Sequence, residues 1–244
     1  MRVALLHYTA PPVVGGVETV LACQARLLAG AGHEVTVVAG RGRAPDPRVR
    51  FVRAPRVDSR HPDVLHVQAT LAGGTVPPGF ERLRSRLEET LGETVGGCDV
   101  LLAHNVCSLH KNLALTAALR RLAGAPGFPR LVAWHHDLAW TAVSYRDELH
   151  PDEPWDLLRT AWPGVVHVAV SEERRASAAR LFGLDPALIA VIPNGLDREA
   201  FLGLGPRTRA LLAPLALADA APVLLVPARI APRKNIELAL RVLT

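Results

Sequence analysis

Residues 2–39 read R-V-A-L-L-H-Y-T-A-P-P-V-V-G-G-V-E-T-V-L-A-C-Q-A-R-L-L-A-G-A-G-H-E-V-T-V-V-A, and this stretch decides the fold. Arg2 to His7 is a short apolar run that reads as a strand, and Tyr8 to Gly16 is a loop. Val17, Val20, Leu21, Gln24, Leu27 and Leu28 then recur at three- and four-residue spacing, the period of a helix with one buried face. Glu18 falls in its first turn, and Gly30 and Gly32 lie near its end, as helix boundaries require. His33-Glu34 leads into Val35–Ala39, a β-branched run typical of a strand buried on both faces.

The same alternation continues outward. The region from Arg41 to Pro78 is rich in Pro, Arg and Gly, with short strand candidates at Val49–Arg53 and Val64–Gln68. Helices are expected at Phe80–Leu91, Leu109–Leu122, Glu153–Thr160 and Glu172–Phe182, the last capped by Ser171 and ended by Gly183. Strands are expected at Asp99–His104, Arg130–His135, Val165–Val170 and Leu188–Pro193. Strand and helix in strict alternation predict an α/β fold with a doubly wound parallel sheet. Beyond it, Pro206-Arg207 and an alanine-rich segment to Asp219 read as linker and helix. V-L-L-V-P-A-R-I-A-P-R-K, Val223–Lys234, and an apolar helix from Ile236 begin what reads as a second β-loop-α unit. The expected division is 1–203 for the first domain and 204–244 for the linker and the opening of a second.

Composition narrows the class. Of 244 residues, 49% are hydrophobic and 21% charged, the balance of a water-soluble globular chain, and no apolar run approaches the length of a membrane span. The N-terminal apolar run is too short for a secretory signal, so a cytoplasmic location is expected, with at most peripheral membrane contact. Cys23, Cys98 and Cys107 have no metal-ligand spacing and read as reduced thiols in or near the core. The net charge of +5 suits anionic partners. Its arginines are interspersed with acids and no basic run carries interleaved aromatics, which argues against nucleic-acid binding.

Several residues stand where parallel strands deliver side chains to ligands, at the carboxyl edge of the sheet. His104-Asn105 and His135-His136-Asp137 both end strands. His135 and His136 point to opposite strand faces, so a shared zinc is not expected. Gly15-Gly16 before a helix offers either a simple turn or bare N–H groups at the positive end of a helix dipole. The dinucleotide fingerprint is absent, and no serine has a nucleophile-elbow setting. Trp134, Trp140, Trp155 and Trp162 read as core packing or as a platform for a sugar or lipid. Arg229 and Lys234, five residues apart after an apolar strand, would face an anion or simply solvent.

Taken together, V-I-P-N-G-L-D at Val191–Asp197 with Phe201, Gly15-Gly16-Val17-Glu18, His136-Asp137, Ala169-Val170-Ser171-Glu172 and Arg229-x-x-x-x-Lys234 resemble, in order and spacing, the family 4 retaining glycosyltransferases of the GT-B fold. The resemblance implies two Rossmann-like domains, the acceptor mainly on the first and a nucleotide-diphosphate sugar mainly on the second. It implies that His136 and Asp137 are catalytic, that Gly15, Gly16, Arg229 and Lys234 bind the donor, and that Glu18, His104 and Asn105 line the acceptor site. The acceptor would be a sugar, lipid or small molecule. No metal is expected, because fixed cations and helix N-termini stabilise a departing diphosphate. Ala228 and Asn235 stand where the family usually has Gly, a mild departure. The family's second domain should run on for well over a hundred residues. The 244 residues are therefore expected to be a truncated, weakly active transferase, or a non-catalytic acceptor-binding module.

Overall fold

The computed structural model describes residues 1–195, 201–203, 205–217, 219, 221, 225 and 232–242. The chain divides into two compact units, Met1–Gly195 and Leu196–Thr244. In the first unit, seven strands form one sheet: β1 (Arg2–Leu6), β2 (Glu34–Ala39), β3 (Val49–Arg53), β4 (Val100–His104), β5 (Arg130–His135), β6 (Val166–Ala169) and β7 (Ile189–Val191). Their order is β3-β2-β1-β4-β5-β6-β7, and every pairing is parallel. The expected doubly wound, Rossmann-like sheet is present.

Period-two alternation distributes the strand side chains to two helical layers. Val3, Leu5, Val35, Val37 and Ala39 pack with Leu21 and Ala25 of α1 (Gly16–Gly30) on one side. Ala4, Leu6, Val38, Leu101, Ala103, Leu131 and Ala133 face the other. There they meet α2 (Pro62–Leu71), α3 (Gly79–Val95) and α4 (Leu113–Leu122). A third cluster joins Leu138, Ala169 and Ile189 to Ala178, Ala179 and Phe182 of α5 (Glu172–Phe182). Ser171 caps α5 by accepting the Arg174 amide at 3.1 Å, and Gly183 ends it in the left-handed conformation.

Three local expectations change. Val64–Gln68 belongs to helix α2, not to a strand. His61 accepts the Asp63 amide at 3.2 Å as N-cap, Pro62 opens the first turn, and Val64, Val67 and Leu71 bury one face at helical spacing. The helix expected at Glu153–Thr160 shrinks to a 3₁₀ turn, Trp155–Leu158. Two of its carbonyls serve indoles instead of a helical ladder: Trp140 donates to Trp155 at 3.1 Å and Trp162 to Leu157 at 3.0 Å. The helix expected from Leu109 starts with a 3₁₀ turn at His110–Asn112, and Asn112 then caps α4 by accepting the Leu115 amide at 3.2 Å.

Trp134, Trp155 and Trp162 are buried, as is Cys107, while Trp140, Cys23 and Cys98 are partly buried. All three cysteines are free, and burial pushes the Cys107 thiol up to about 12. In the second unit, α6 (Pro206–Leu212) and α7 (Ile236–Arg241) are helical. The strand expected from Val223 lies mostly outside the described residues. Among the described residues, no helix is long and apolar enough to cross a membrane.

Candidate active site

The chain walks outward from β1 to β2 and β3, then returns to place β4 on the opposite side of β1. Between β1 and β4 the connections diverge, which opens a crevice at the carboxyl ends of the strands. Residues from three strand ends and one helix start gather there: His7 and Thr9 after β1, His104 and Asn105 at β4, His136 and Asp137 after β5, and Gly15, Gly16 and Glu18 at α1.

Asn105 ties the two central strand ends together. Its backbone is left-handed, φ 60°, a conformation that asparagine tolerates better than other side-chain-bearing residues. Its amide donates to Trp134 O at 2.9 Å, and its Oδ1 accepts the amides of His136 at 2.8 Å and Asp137 at 3.0 Å. Its Nδ2 donates to Asp137 Oδ2 at 3.3 Å. Only 3% exposed, Asn105 faces the protein and shapes the His136-Asp137 turn. Asp137 itself is open to solvent on one side, with Arg174 of α5 3.9 Å away.

Three histidines run across the crevice floor. His7 Nδ1 lies 2.9 Å from the His104 carbonyl, and His104 Nδ1 lies 3.1 Å from His136 Nε2. Burial lowers all three below the usual imidazole range. His104 lies well below it, with the neighbouring imidazoles adding to the effect of burial, and His136 falls to about 4. They are neutral at pH 7. His104 is 0% exposed and its Nε2 is buried without a hydrogen-bond partner. His136 is 8% exposed, and its Nδ1 is not among the sealed, unpartnered atoms.

At the helix start, Thr9 donates to Glu18 Oε1, and His7 Nε2 stands 3.8 Å from the same oxygen. The carboxylate folds back over Gly15, where a Cβ would lie 2.0 Å from Glu18 Oε2. A side chain at Gly15 would therefore have to displace the Glu18 carboxylate, whereas the extended backbone of Gly15 is open to any residue. Gly16 would accept a Cβ with nothing within 4 Å. The positive end of α1 already has a negative partner.

The structure thus gathers Gly15, Gly16, Glu18, His104, Asn105, His136 and Asp137 at one sheet edge. Lys234 is exposed in a 3₁₀ turn, Pro232–Lys234, of the second unit, and Arg229 lies outside the described residues. Sequence reasoning passed over His7, Thr9 and Arg174. His7 carried the signal that marked His104, a polar residue closing an apolar strand. Among the described residues, no three His, Cys, Asp or Glu side chains are grouped to hold a metal. A cavity of about 510 Å³ lies elsewhere, between α3, α4 and residues 153–157. It contains none of these residues, and its Arg84 is engaged by Glu81 and Glu88.

The arrangement is that of a polar crevice at the switch point of a parallel sheet, and the chain from the loop before α1 to beyond β7 fits one family: residues 14–200 match Glycosyltransferase Family 4. The chain belongs to Glycosyltransferase Family 4. Among curated relatives, a mannosylglucosylglycerate synthase of Thermotoga maritima is 26% identical over 260 residues, covering 100% of this chain and 56% of that protein. An MMP alpha-(1->4)-mannosyltransferase of Mycolicibacterium hassiacum is 28% identical over 254 residues, covering 90% and 57%. The chain therefore spans a little over half the length of these relatives. The solved structure of WaaG, a glycosyltransferase involved in lipopolysaccharide biosynthesis, aligns with a TM-score of 0.52 at 13% identity, covering 88% of this chain and 51% of that one. This last likeness concerns the fold alone and matches the Rossmann-like GT-B architecture. For a family 4 glycosyltransferase, the β1–β4–β5 edge is the candidate place of sugar transfer.

Proposed function

We propose that this chain carries the acceptor-side half of a retaining hexosyltransferase, which moves a hexose from a nucleotide-diphosphate sugar to a sugar, lipid or small-molecule acceptor. The observation that carries the reading is the fixed His136-Asp137 turn, held by Asn105 at the switch-point crevice of a chain belonging to a glycosyltransferase family. In this reading His136 hydrogen-bonds the transferred hexose and Asp137 offers a carboxylate beside it. The Gly15-Gly16 loop and Glu18 border the place where donor and acceptor meet. His104 and Asn105 shape the acceptor side from beneath.

Departure of the nucleoside diphosphate builds negative charge on its oxygens. Arg229 and Lys234 meet that charge as fixed cations that need no reorganisation during the reaction, so the reading calls for no metal. It also places those cations in residues 204–244, the opening of the donor-binding domain, and gives the 244 residues alone little transferase activity. Both curated relatives have names with a mannosyl group, which makes mannose the first hexose to test.

The test is a screen of UDP-, GDP- and ADP-hexoses, with product configuration read by NMR, run on the 244-residue chain and on the protein at its full natural length. The expected result is transfer with retention by the full-length protein and little by the shorter chain. Transfer with inversion, or rapid transfer by the 244 residues, would contradict the reading. Acceptor binding without any turnover by the full-length protein would favour a non-catalytic binding module instead.

A further inference from the structure

The buried side of the crevice contains one atom whose chemistry has a consequence for His136. His104 Nε2 is sealed in the protein with no hydrogen-bond partner, on a ring that is 0% exposed. A neutral imidazole carries one N–H, so the proton of His104 sits either on this sealed nitrogen or on Nδ1. Placed on Nε2, it would be an orphan donor in the core, the rarest and most costly kind of buried polar group. Placed on Nδ1, it is donated to His136 Nε2 at 3.1 Å, and only a lone pair is left unpaired.

The neighbouring contact fixes the other end. His7 Nδ1 lies 2.9 Å from the His104 carbonyl oxygen, which can only accept, so His7 also carries its proton on Nδ1. That bond holds the β4 strand end at the residue whose ring contacts His136. With its Nε2 accepting, His136 must keep its own proton on Nδ1, the ring nitrogen that is not sealed against the protein.

We propose that His104 is a positioning residue that locks His136 as an Nδ1–H hydrogen-bond donor toward the ligand, with His7 holding His104 in register. The inference rests on the reading of this edge as the sugar-transfer site and deepens it. His136 gives a hydrogen bond to a ligand oxygen, such as a sugar hydroxyl or the oxygen of the leaving group, and does not take a proton from the acceptor. Its depressed basicity, which follows first from burial, agrees with that role. The geometry also explains why His104 need not touch the ligand. It acts through the ring above it.

The experiment is a long-range ¹H–¹⁵N correlation spectrum of the 244-residue protein, uniformly ¹⁵N-labelled, at neutral pH. His7, His104 and His136 should all appear as the Nδ1–H tautomer, the opposite of the Nε2–H form that free histidine favours in water. In His104→Ala, water enters the vacated space and can donate or accept, so the dominant form of His136 should change to Nε2–H. An Nε2-protonated His136 or His104 in the wild type would overturn the proposal, as would an unchanged His136 in a folded His104→Ala protein. Should that variant fail to fold, the wild-type spectrum alone decides. The spectrum does not depend on turnover. Correct tautomers in a full-length protein that transfers no sugar would sink the functional reading and leave the relay standing.

Discussion

Two histidine pairs bridge neighbouring strands in this sheet, each separated by 32 residues in sequence, and they have opposite surroundings. His104 and His136 connect the β4 and β5 ends, with nitrogens 3.1 Å apart and ring centroids 5.4 Å apart. His135 and His167 connect β5 to β6, with nitrogens 3.0 Å apart and rings stacked 5.3 Å apart under Phe182. In the second pair the outer nitrogens of both rings, His135 Nδ1 and His167 Nε2, are buried without partners. In the first, only the inner ring is sealed. The same pairing therefore serves as packing where Phe182 closes it off. It becomes a candidate ligand contact where the crevice leaves one ring open.

The largest expected effect strikes both pairs at once. Burial lowers His136 to about 4 and His135 to about 3, whereas an unfolded chain binds these protons near pH 6.5. Between those values the unfolded chain carries the extra protons. Stability should thus be full above pH 6.5 and fall by several kcal/mol as the pH drops toward 4. Denaturant midpoints measured across that range check this, and a flat profile would contradict it. Asn105→Ala should cost about 2–4 kcal/mol, since it leaves two amides unsatisfied and places alanine at a positive φ. Asn105→Gly should recover about 1 kcal/mol of that by relieving the backbone. Equal denaturation midpoints for the two variants would remove the strain from the account. The smallest effect is expected where the pair is sealed. Replacing both His135 and His167 with Phe should change stability by about 1 kcal/mol or less, because both partners of the hydrogen bond are removed together. The double variant should also weaken the acid sensitivity.

Much of this was legible in the sequence, and the reasons differ by element. The strands were visible because buried parallel strands are continuous apolar runs, and α5 because Ser171 and Gly183 mark its ends. α2 was hidden by the Pro-, Arg- and Gly-rich stretch around it, where Val64, Leu65 and Val67 alone do not separate a strand period from a helical one. The turn at Trp155–Leu158 escaped because two of its carbonyls are claimed by indoles, that of Trp140 before the turn and that of Trp162 after it. At the site, residue identity pointed to His136, Asp137, His104 and Asn105, but not to which of them face inward. That depends on the register between β4 and β5, where His104 pairs with Trp134. Such tertiary information brought Asn105 under the His136-Asp137 turn and His7 under His104.

The central claim is that the open pair belongs to a sugar-transfer site and the sealed pair does not. Its most direct measurement is the initial rate of hexose transfer by the full-length protein carrying His136→Ala, compared with the His135→Phe/His167→Phe double variant and the wild type. The account predicts that His136→Ala lowers the rate by about a hundredfold or more, the loss typical of a group bonded to the reacting centre, while the double variant stays within about threefold, since it leaves the crevice chemistry in place. A folded His136→Ala protein with wild-type rates, or a folded double variant that has lost activity to the same degree, would contradict it.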